Sequence, residues 1–319
     1  MSRTTKTAED GDIVFTNVSK SFGEVQAVKE LSLRLPQGQI YGFLGPNGAG
    51  KTTCLRMLLS IILPDQGEIH LQGGATAWDL RDQIGYLPEE RGLYRRMQVM
   101  DHLKFLAEIK GADVKAVEPR ILKWLERLGL ADRAKSKVMD LSKGNQQKVQ
   151  FIGTLAHNPS LLVLDEVFSG LDPINQQQIR DILLELRKEG KTIIFSTHIM
   201  EQAEQLCDGI CLIHRGQCIM EGALDELKAE HGKGKLQLEH TGSVDFLQAK
   251  DYILSYRTTG NNTELQLKED ADPNLVLTAL LDKDIKIQRF ELANPTLKEL
   301  FMQKVESSEE NTEGDTTDA

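Results

Sequence analysis

Three glycines, a lysine and two threonines crowd into the nine residues GPNGAGKTT, 45–53. The spacing GxxxxGK[ST] is that of a loop that wraps phosphate, and it carries weight only between a strand and a helix. Both flank it here: IYGFLG is a buried strand-like run, and a helical stretch runs from Lys51 to about Ser60. Gly45, Pro46, Asn47, Gly48, Ala49 and Gly50 are then expected to cradle a nucleotide β-phosphate on backbone N–H groups. Lys51 bridges the β- and γ-phosphates, Thr52 supplies a ligand to Mg²⁺, and Thr53 completes the motif. The other reading is a glycine-rich turn that binds nothing, and it leaves the flanking order unexplained.

LLVLDE, 161–166, supplies a second half. Four apolar residues make a buried strand of the parallel kind and deliver Asp165 to the phosphate end of the sheet. A carboxylate there holds Mg²⁺ through water, and Glu166 beside it accepts a proton from the attacking water. His198 ends the strand-like TIIFST, where ligands bind in parallel sheets, and can donate to a γ-phosphate. A lone histidine is more often structural; the position beside the site favours function. Phe22, in KSFGEV, is a platform for an adenine ring or an ordinary strand-end aromatic, and local residues do not separate the two.

A further anion grip stands at LSKGN, 141–145, where Ser142 and Gly144 open a helical stretch and leave backbone N–H groups free. One phosphate loop already occupies one side of ATP. The second grip makes sense if it serves a nucleotide held by another copy of the chain, the two arranged head to tail. ATP then joins the pair and hydrolysis releases it.

The chain that must position these residues has 319 of them, 40% hydrophobic, and a net charge of −10. That length suffices for one large domain and one small one. No apolar run reaches the roughly 20 residues of a membrane helix, and MSRTTKTAEDGD has no hydrophobic signal region. A cytoplasmic location is expected, with any membrane role exercised through a partner. The charge balance does not suit a nucleic-acid binder, which needs a basic face. Cys207, Cys211 and Cys218 with His214 fit no common zinc spacing, so with Cys54 they read as buried reduced thiols.

Strands alternating with helices predict an α/β fold whose parallel core sheet is covered on both faces. The early strands, residues 12 to 41, form an antiparallel side sheet. From Gln98 to about Gly129 the pattern is helical, with breaks near Gly111 and Pro119. GICLIHRGQCIMEG reads as a hairpin about Arg215–Gly216. The expected organisation is an N-terminal tail, 1–11, and an ATPase domain, 12–230, with a helical subdomain at about 90–160. A small α+β accessory domain of order βαββαβ, 235–306, follows. ESSEENTEGDTTDA has six acidic and no basic side chains, and 307–319 reads as a disordered acidic tail.

GPNGAGKTT, LSKGN, LLVLDE, SGLD (169–172) and STH (196–198), in this order, resemble the nucleotide-binding subunits of ABC transporters. The resemblance covers about residues 12 to 230. It implies a P-loop NTPase fold with antiparallel β and helical subdomains, and hydrolysis of ATP with Mg²⁺. It implies that Ser142 and Gly144 contact ATP on the opposite subunit, that Asp172 lies at the dimer interface, and that Phe22 stacks on adenine. It also implies a separately encoded membrane permease, whose coupling helix would rest on residues 89 to about 110. LPEERGLY and the small C-terminal domain are similar to stand-alone ATPases of bacterial sodium- and drug-efflux systems.

The chain departs from the family at three places. Its signature is LSKGN where Leu-Ser-Gly-Gly-Gln is usual, so Lys143 adds charge and Asn145 shortens the last amide. Val167 follows the acidic pair where proline is frequent. Glu89 stands where the family usually has glutamine against Mg²⁺ and the attacking water. A carboxylate ligates Mg²⁺ more strongly, and repels the γ-phosphate without it; the bland alternative is a glutamate facing solvent. A soluble ABC ATPase acting on nucleic acid or the ribosome is the main rival. It usually carries two cassettes, a long coiled-coil insertion or zinc cysteines. A solitary P-loop kinase or GTPase would leave LSKGN without a purpose.

Overall fold

The computed structural model describes residues 11–90, 92–231, 234–268 and 270–313. They fall into two compact units that divide between Gly222 and Ala223.

The first unit runs β1 (Ile13–Phe22), β2 (Val25–Leu35), β3 (Ile40–Leu44), α1 (Lys51–Leu58), β4 (Gln66–His70), β5 (Ile84–Leu87), α2 (Val99–Ile109), α3 (Val114–Arg127), α4 (Lys143–Leu155), β6 (Leu161–Asp165), α5 (Pro173–Lys188), β7 (Thr192–Thr197), α6 (Met200–Glu204), β8 (Gly209–His214) and β9 (Gln217–Ala223). Its main sheet has the order β5-β6-β7-β3-β8-β9, with β5 through β8 parallel along their shared registers. Every residue of β3, β6 and β7 is buried. A strand covered on both faces reads as an unbroken apolar run, and each such Leu, Ile or Phe contributes about 1.5–3 kcal/mol by leaving water. β8 and β9 meet at Arg215–Gly216, both with positive φ, which is the two-residue turn that suits strand twist. β2, β1 and β4 form the antiparallel side sheet. Phe15 of that sheet, Phe43 of β3 and Leu55 and Leu58 of α1 share one core, which clamps the two sheets about the helix that follows the phosphate loop.

Helices α2, α3 and α4 pack on one another. Pro119 does not break α3: it sits inside the helix, on the exposed side, while Val117, Ile121 and Leu125 form the buried stripe that carries the helix across it. Proline at this position costs the helix the one hydrogen bond to the Lys115 carbonyl, a loss the buried stripe outweighs.

The second unit runs α7 (Leu224–His231), β10 (Lys235–Thr241), β11 (Ile253–Thr259), β12 (Asn262–Leu267), α8 (Asn274–Leu281), β13 (Lys286–Leu292) and α9 (Leu297–Glu313), with a 3₁₀ turn at Asp245–Ala249. The sheet order is β11-β12-β10-β13, all neighbours antiparallel, the split βαβ arrangement. Leu236, Leu238, Leu265, Leu267, Val276 and Leu280 form its core. The short helical stretch expected after β10 is the 3₁₀ turn. The division falls ahead of α7, several residues before the boundary expected between 230 and 235. Helix α9 continues to Glu313 through the first half of the acidic tail, which corrects its reading as disordered from 307. Residues 314–319 and 1–10 lie outside the described residues.

Candidate functional site

The phosphate loop joins the C-terminal end of β3 to the first residue of α1. Gly45, Gly48 and Gly50 hold φ of 147°, 78° and 111°, all open to glycine and strained for other residues. Space also demands glycine at two of them: a Cβ at Gly45 would run into the Ile213 carbonyl, and one at Gly50 into the Ala27 carbonyl. The β8–β9 hairpin thus packs against the loop, and the Gly216 N–H donates to the Ala49 carbonyl at 3.0 Å.

Lys51, nearly buried, folds over the loop and donates to the Gly45 and Pro46 carbonyls at 2.9 and 3.0 Å. Burial lowers its pKa, and the carboxylates of Glu166, Asp165 and Glu89 oppose that shift. Its Nζ lies 3.9 Å from Glu166 Oε1. Together with Asn47, Gly48, Gly50, Thr52, Glu89 and Glu166 it lines a cleft of about 320 Å³. Glu89 is exposed yet lines this cleft. Its loop is held from α4, because Gln150 Nε2 donates to the Pro88 and Glu90 carbonyls at 3.1 and 3.4 Å.

Asp165 ends β6 fully buried. Its Oδ1 accepts from Thr52 Oγ1 at 3.1 Å and from Ser196 Oγ. Its Oδ2 is buried and has no partner among the described residues. Glu166 leaves the strand with φ 50°, a conformation unusual for a branched-free acid as for any residue but glycine. Its carboxylate accepts from or faces His198 Nδ1 at 3.0 and 3.1 Å. Thr197 Oγ1 accepts the Ile199 N–H at 3.1 Å and donates to Gln202 Oε1 at 2.8 Å, so the turn that carries His198 is tied down on both sides.

Ser142, Gly144, Asp172 and Phe22 are not among the described residues lining this cleft. Ser142 caps α4, accepting the Asn145 N–H at 3.3 Å, and is exposed with Lys143. Asp172 caps α5 through the Asn175 N–H at 3.0 Å, and that hydrogen bond holds its carboxyl below the usual carboxylate range. Phe22 is half exposed at the end of β1, with Lys20 Nζ 5.7 Å from its ring centroid.

The ABC transporter family model matches residues 28–169, over the phosphate loop, the LSKGN helix and LLVLDE. The C-terminal domain model of DrrA1-3-like ATP-binding proteins matches 222–305. The uncharacterized ABC transporter ATP-binding protein YhaQ of Bacillus subtilis (strain 168) is 40% identical over 293 residues, 92% of this chain and 98% of that protein. The chain belongs to the ATP-binding subunits of ABC transporters. Linearmycin resistance ATP-binding protein LnrL of the same organism is 31% identical over 297 residues, 90% of this chain and 96% of its own. The solved dimeric ABC transporter cassette MJ0796 superposes with a TM-score of 0.62 at 26% identity, over 66% of this chain and 98% of that one. As a member of the family, the ABC subunit binds nucleotide and hydrolyses ATP.

One residue of this ABC subunit's site escaped the sequence reading. Ser196 stands in the STH motif, where only His198 drew notice. Its hydroxyl accepts the Glu166 N–H at 3.1 Å while donating to Asp165. A hydroxyl directly after the apolar IIF of one buried strand, with a second buried strand ending at Asp165, was the available signal. The cysteines are all free thiols, Cys54 and Cys211 buried and Cys207 and Cys218 half-buried. Among the described residues no helix is long and apolar enough to cross a membrane.

Proposed function

We propose that this ABC subunit powers a separately encoded membrane permease, for efflux, through ATP-driven head-to-tail pairing of two copies. The observation that carries the reading is a half-built site. The cleft gathers Lys51, Thr52, Glu89 and Glu166, whereas Ser142, Gly144 and Asp172 lie on helix starts outside it. A second copy would bring those helix starts to the triphosphate. MJ0796, of the same fold, was solved as a dimer. LnrL serves resistance to linearmycin, which supports an export role for this chain as well.

Within the cleft, backbone N–H groups from Gly45 to Thr53 and the Lys51 ammonium would grip the phosphates, and Phe22 would stack on adenine. Glu166 takes the proton of the attacking water, and His198, set against Glu166, donates to the γ-phosphate. Thr52, Asp165 and Glu89 would hold Mg²⁺. The fit rests on Asp165 Oδ2, buried and without a partner among the described residues, on the carboxylate that accepts from the Thr52 hydroxyl. Among the described residues no three His, Cys, Asp or Glu form a metal cage, which suits an ion that keeps waters and shares substrate phosphates. The ion, when bound, neutralises charge on the transferred phosphoryl group.

The permease would rest on a groove of about 160 Å³ beside Glu89, lined by Tyr86, Pro88, Leu93, Leu106, Ile109 and Lys110 among others. That contact would place the subunit on the inner face of the cell membrane. Two measurements test the reading. Glu166→Gln with saturating ATP and Mg²⁺ should run as a closed dimer in size exclusion, and a persistent monomer refutes the pairing. Capture of the tagged chain from detergent extract should bring down a multi-span membrane protein; capture of ribosomes or nucleic acid instead refutes the transport role.

A further inference from the structure

Two strand ends meet behind Thr52 and Glu166, which line the cleft, and one hydroxyl ties them together. Asp165 of β6 and Ser196 of β7 are register partners in the parallel sheet. That is the last register pair of the two strands, and the next residue, Glu166, turns the chain away at φ 50°. The N–H is received by Ser196 Oγ at 3.1 Å, and the same hydroxyl donates to Asp165 Oδ1. Ser196 is fully buried, so water cannot substitute for it.

Consider what each bond does. Without this acceptor the part-buried Glu166 N–H would lose its partner and the strained turn one of its supports, which would let the Glu166 side chain swing away from Lys51 and His198. The bond to Oδ1 fixes the rotation of the Asp165 carboxyl. With Thr52 Oγ1 also on Oδ1 at 3.1 Å, both donors crowd one oxygen and leave Oδ2 bare. A carboxylate free to turn would spread its two donors over both oxygens, and its bare lone pairs would lose their fixed direction.

We infer that Ser196 is the positioning residue of this site: its hydroxyl orients the Asp165 carboxylate towards the metal and holds the Glu166 turn. The inference rests on the reading of Asp165 as a metal-binding residue given above. It assigns to Ser196 no contact with nucleotide or water.

The test is calorimetric binding of ATP to the full chain, with EDTA and then with Mg²⁺, so that the readout is the gain in affinity the ion confers. Wild type, Ser196→Ala, Ser196→Thr and Asp165→Asn are compared. Ser196→Ala should bind ATP in EDTA as wild type does and lose about tenfold of the Mg²⁺ gain, the weight of one hydrogen bond to a charged group. Ser196→Thr, which keeps the hydroxyl, should retain the gain, and Asp165→Asn should abolish it. Amide exchange at Glu166 should quicken in the alanine variant alone. If Asp165→Asn loses the gain while Ser196→Ala keeps it, the positioning role is overturned and the metal reading stands. If Asp165→Asn keeps the gain, the metal reading falls and takes this role with it. Equal losses in the alanine and threonine variants would show that bulk at the site, not the hydroxyl, matters, and would also overturn the inference.

Discussion

Gly144→Ala separates a contact between copies from a contact within one chain. Gly144 is the second residue of α4, with φ in the ordinary range. A Cβ built there meets the Gly170 carbonyl oxygen at 3.8 Å and Leu171 Cδ2 at 3.9 Å, which is normal van der Waals distance. Alanine in place of glycine within a helix stabilises by about 0.5–1 kcal/mol through the unfolded chain. The isolated variant should therefore unfold in urea at the wild-type midpoint or slightly above it. Its ATP affinity should match wild type, because Gly144 does not line the cleft of its own chain. Hydrolysis is where the loss should fall. If the partner's γ-phosphate lies against this helix start, the added methyl holds it off the backbone N–H groups. A charge-assisted hydrogen bond lost there is worth about 1.5–3 kcal/mol, a factor of roughly 10 to 150 in turnover at saturating ATP. Steady-state phosphate release measures this. Ser142→Arg is expected to cripple turnover too, but it also removes the cap on the Asn145 N–H and so mixes stability with chemistry. Full turnover in Gly144→Ala, with the chain folded and binding ATP, would refute the reasoning.

Three other outcomes follow from the same geometry. Gly50→Ala should cost at least about 2 kcal/mol in urea unfolding and most of the ATP affinity, since φ 111° and the Ala27 carbonyl both exclude a Cβ; Gly48→Ala, at φ 78° with nothing within 4 Å, should cost only about 1 kcal/mol. Glu89→Gln should flatten the Mg²⁺ dependence of hydrolysis, because the third carboxylate around Lys51 repels phosphate until the ion arrives; superimposable Mg²⁺ titrations of the two proteins would count against a role for Glu89. His102 is fully buried, neither ring nitrogen has a partner among the described residues, and burial lowers its pKa to about 4. The native state thus holds fewer protons than the unfolded one, with its ordinary value near 6.5, so the stability it contributes is whole above that value and falls as pH drops towards 4. At pH 5 the loss is about 2 kcal/mol, and His102→Phe should lose correspondingly less between pH 7 and pH 5 in urea midpoints.

What the sequence makes legible is local pattern. β6 and β7 centre on the apolar runs LLVL and IIF because both faces are covered, and the phosphate loop announces itself by glycines that backbone φ and neighbouring carbonyls require. Pro119 misleads for the same reason: proline is read as a breaker from its own chemistry, while the buried stripe of α3 decides the outcome. The acidic tail misleads likewise, since composition alone says nothing of a helix already begun at Leu297. Contacts across the sheet are another matter. Ser196 meets Asp165 only because β6 and β7 are neighbours, though 31 positions separate the two residues. Glu89 is aimed by Gln150, 61 positions from Glu89, through carbonyls on either side of it. Gln150 belongs to the helix that Ser142 caps, and Gln147 of that helix donates to the Val167 carbonyl, next to Glu166. One helix therefore carries both Ser142 at its start and the side chains that hold the loops bearing Glu89 and Glu166. In the pairing proposed above, a shift of its first turn against another copy would reach both loops through these hydrogen bonds, and the two sites of a pair would close together.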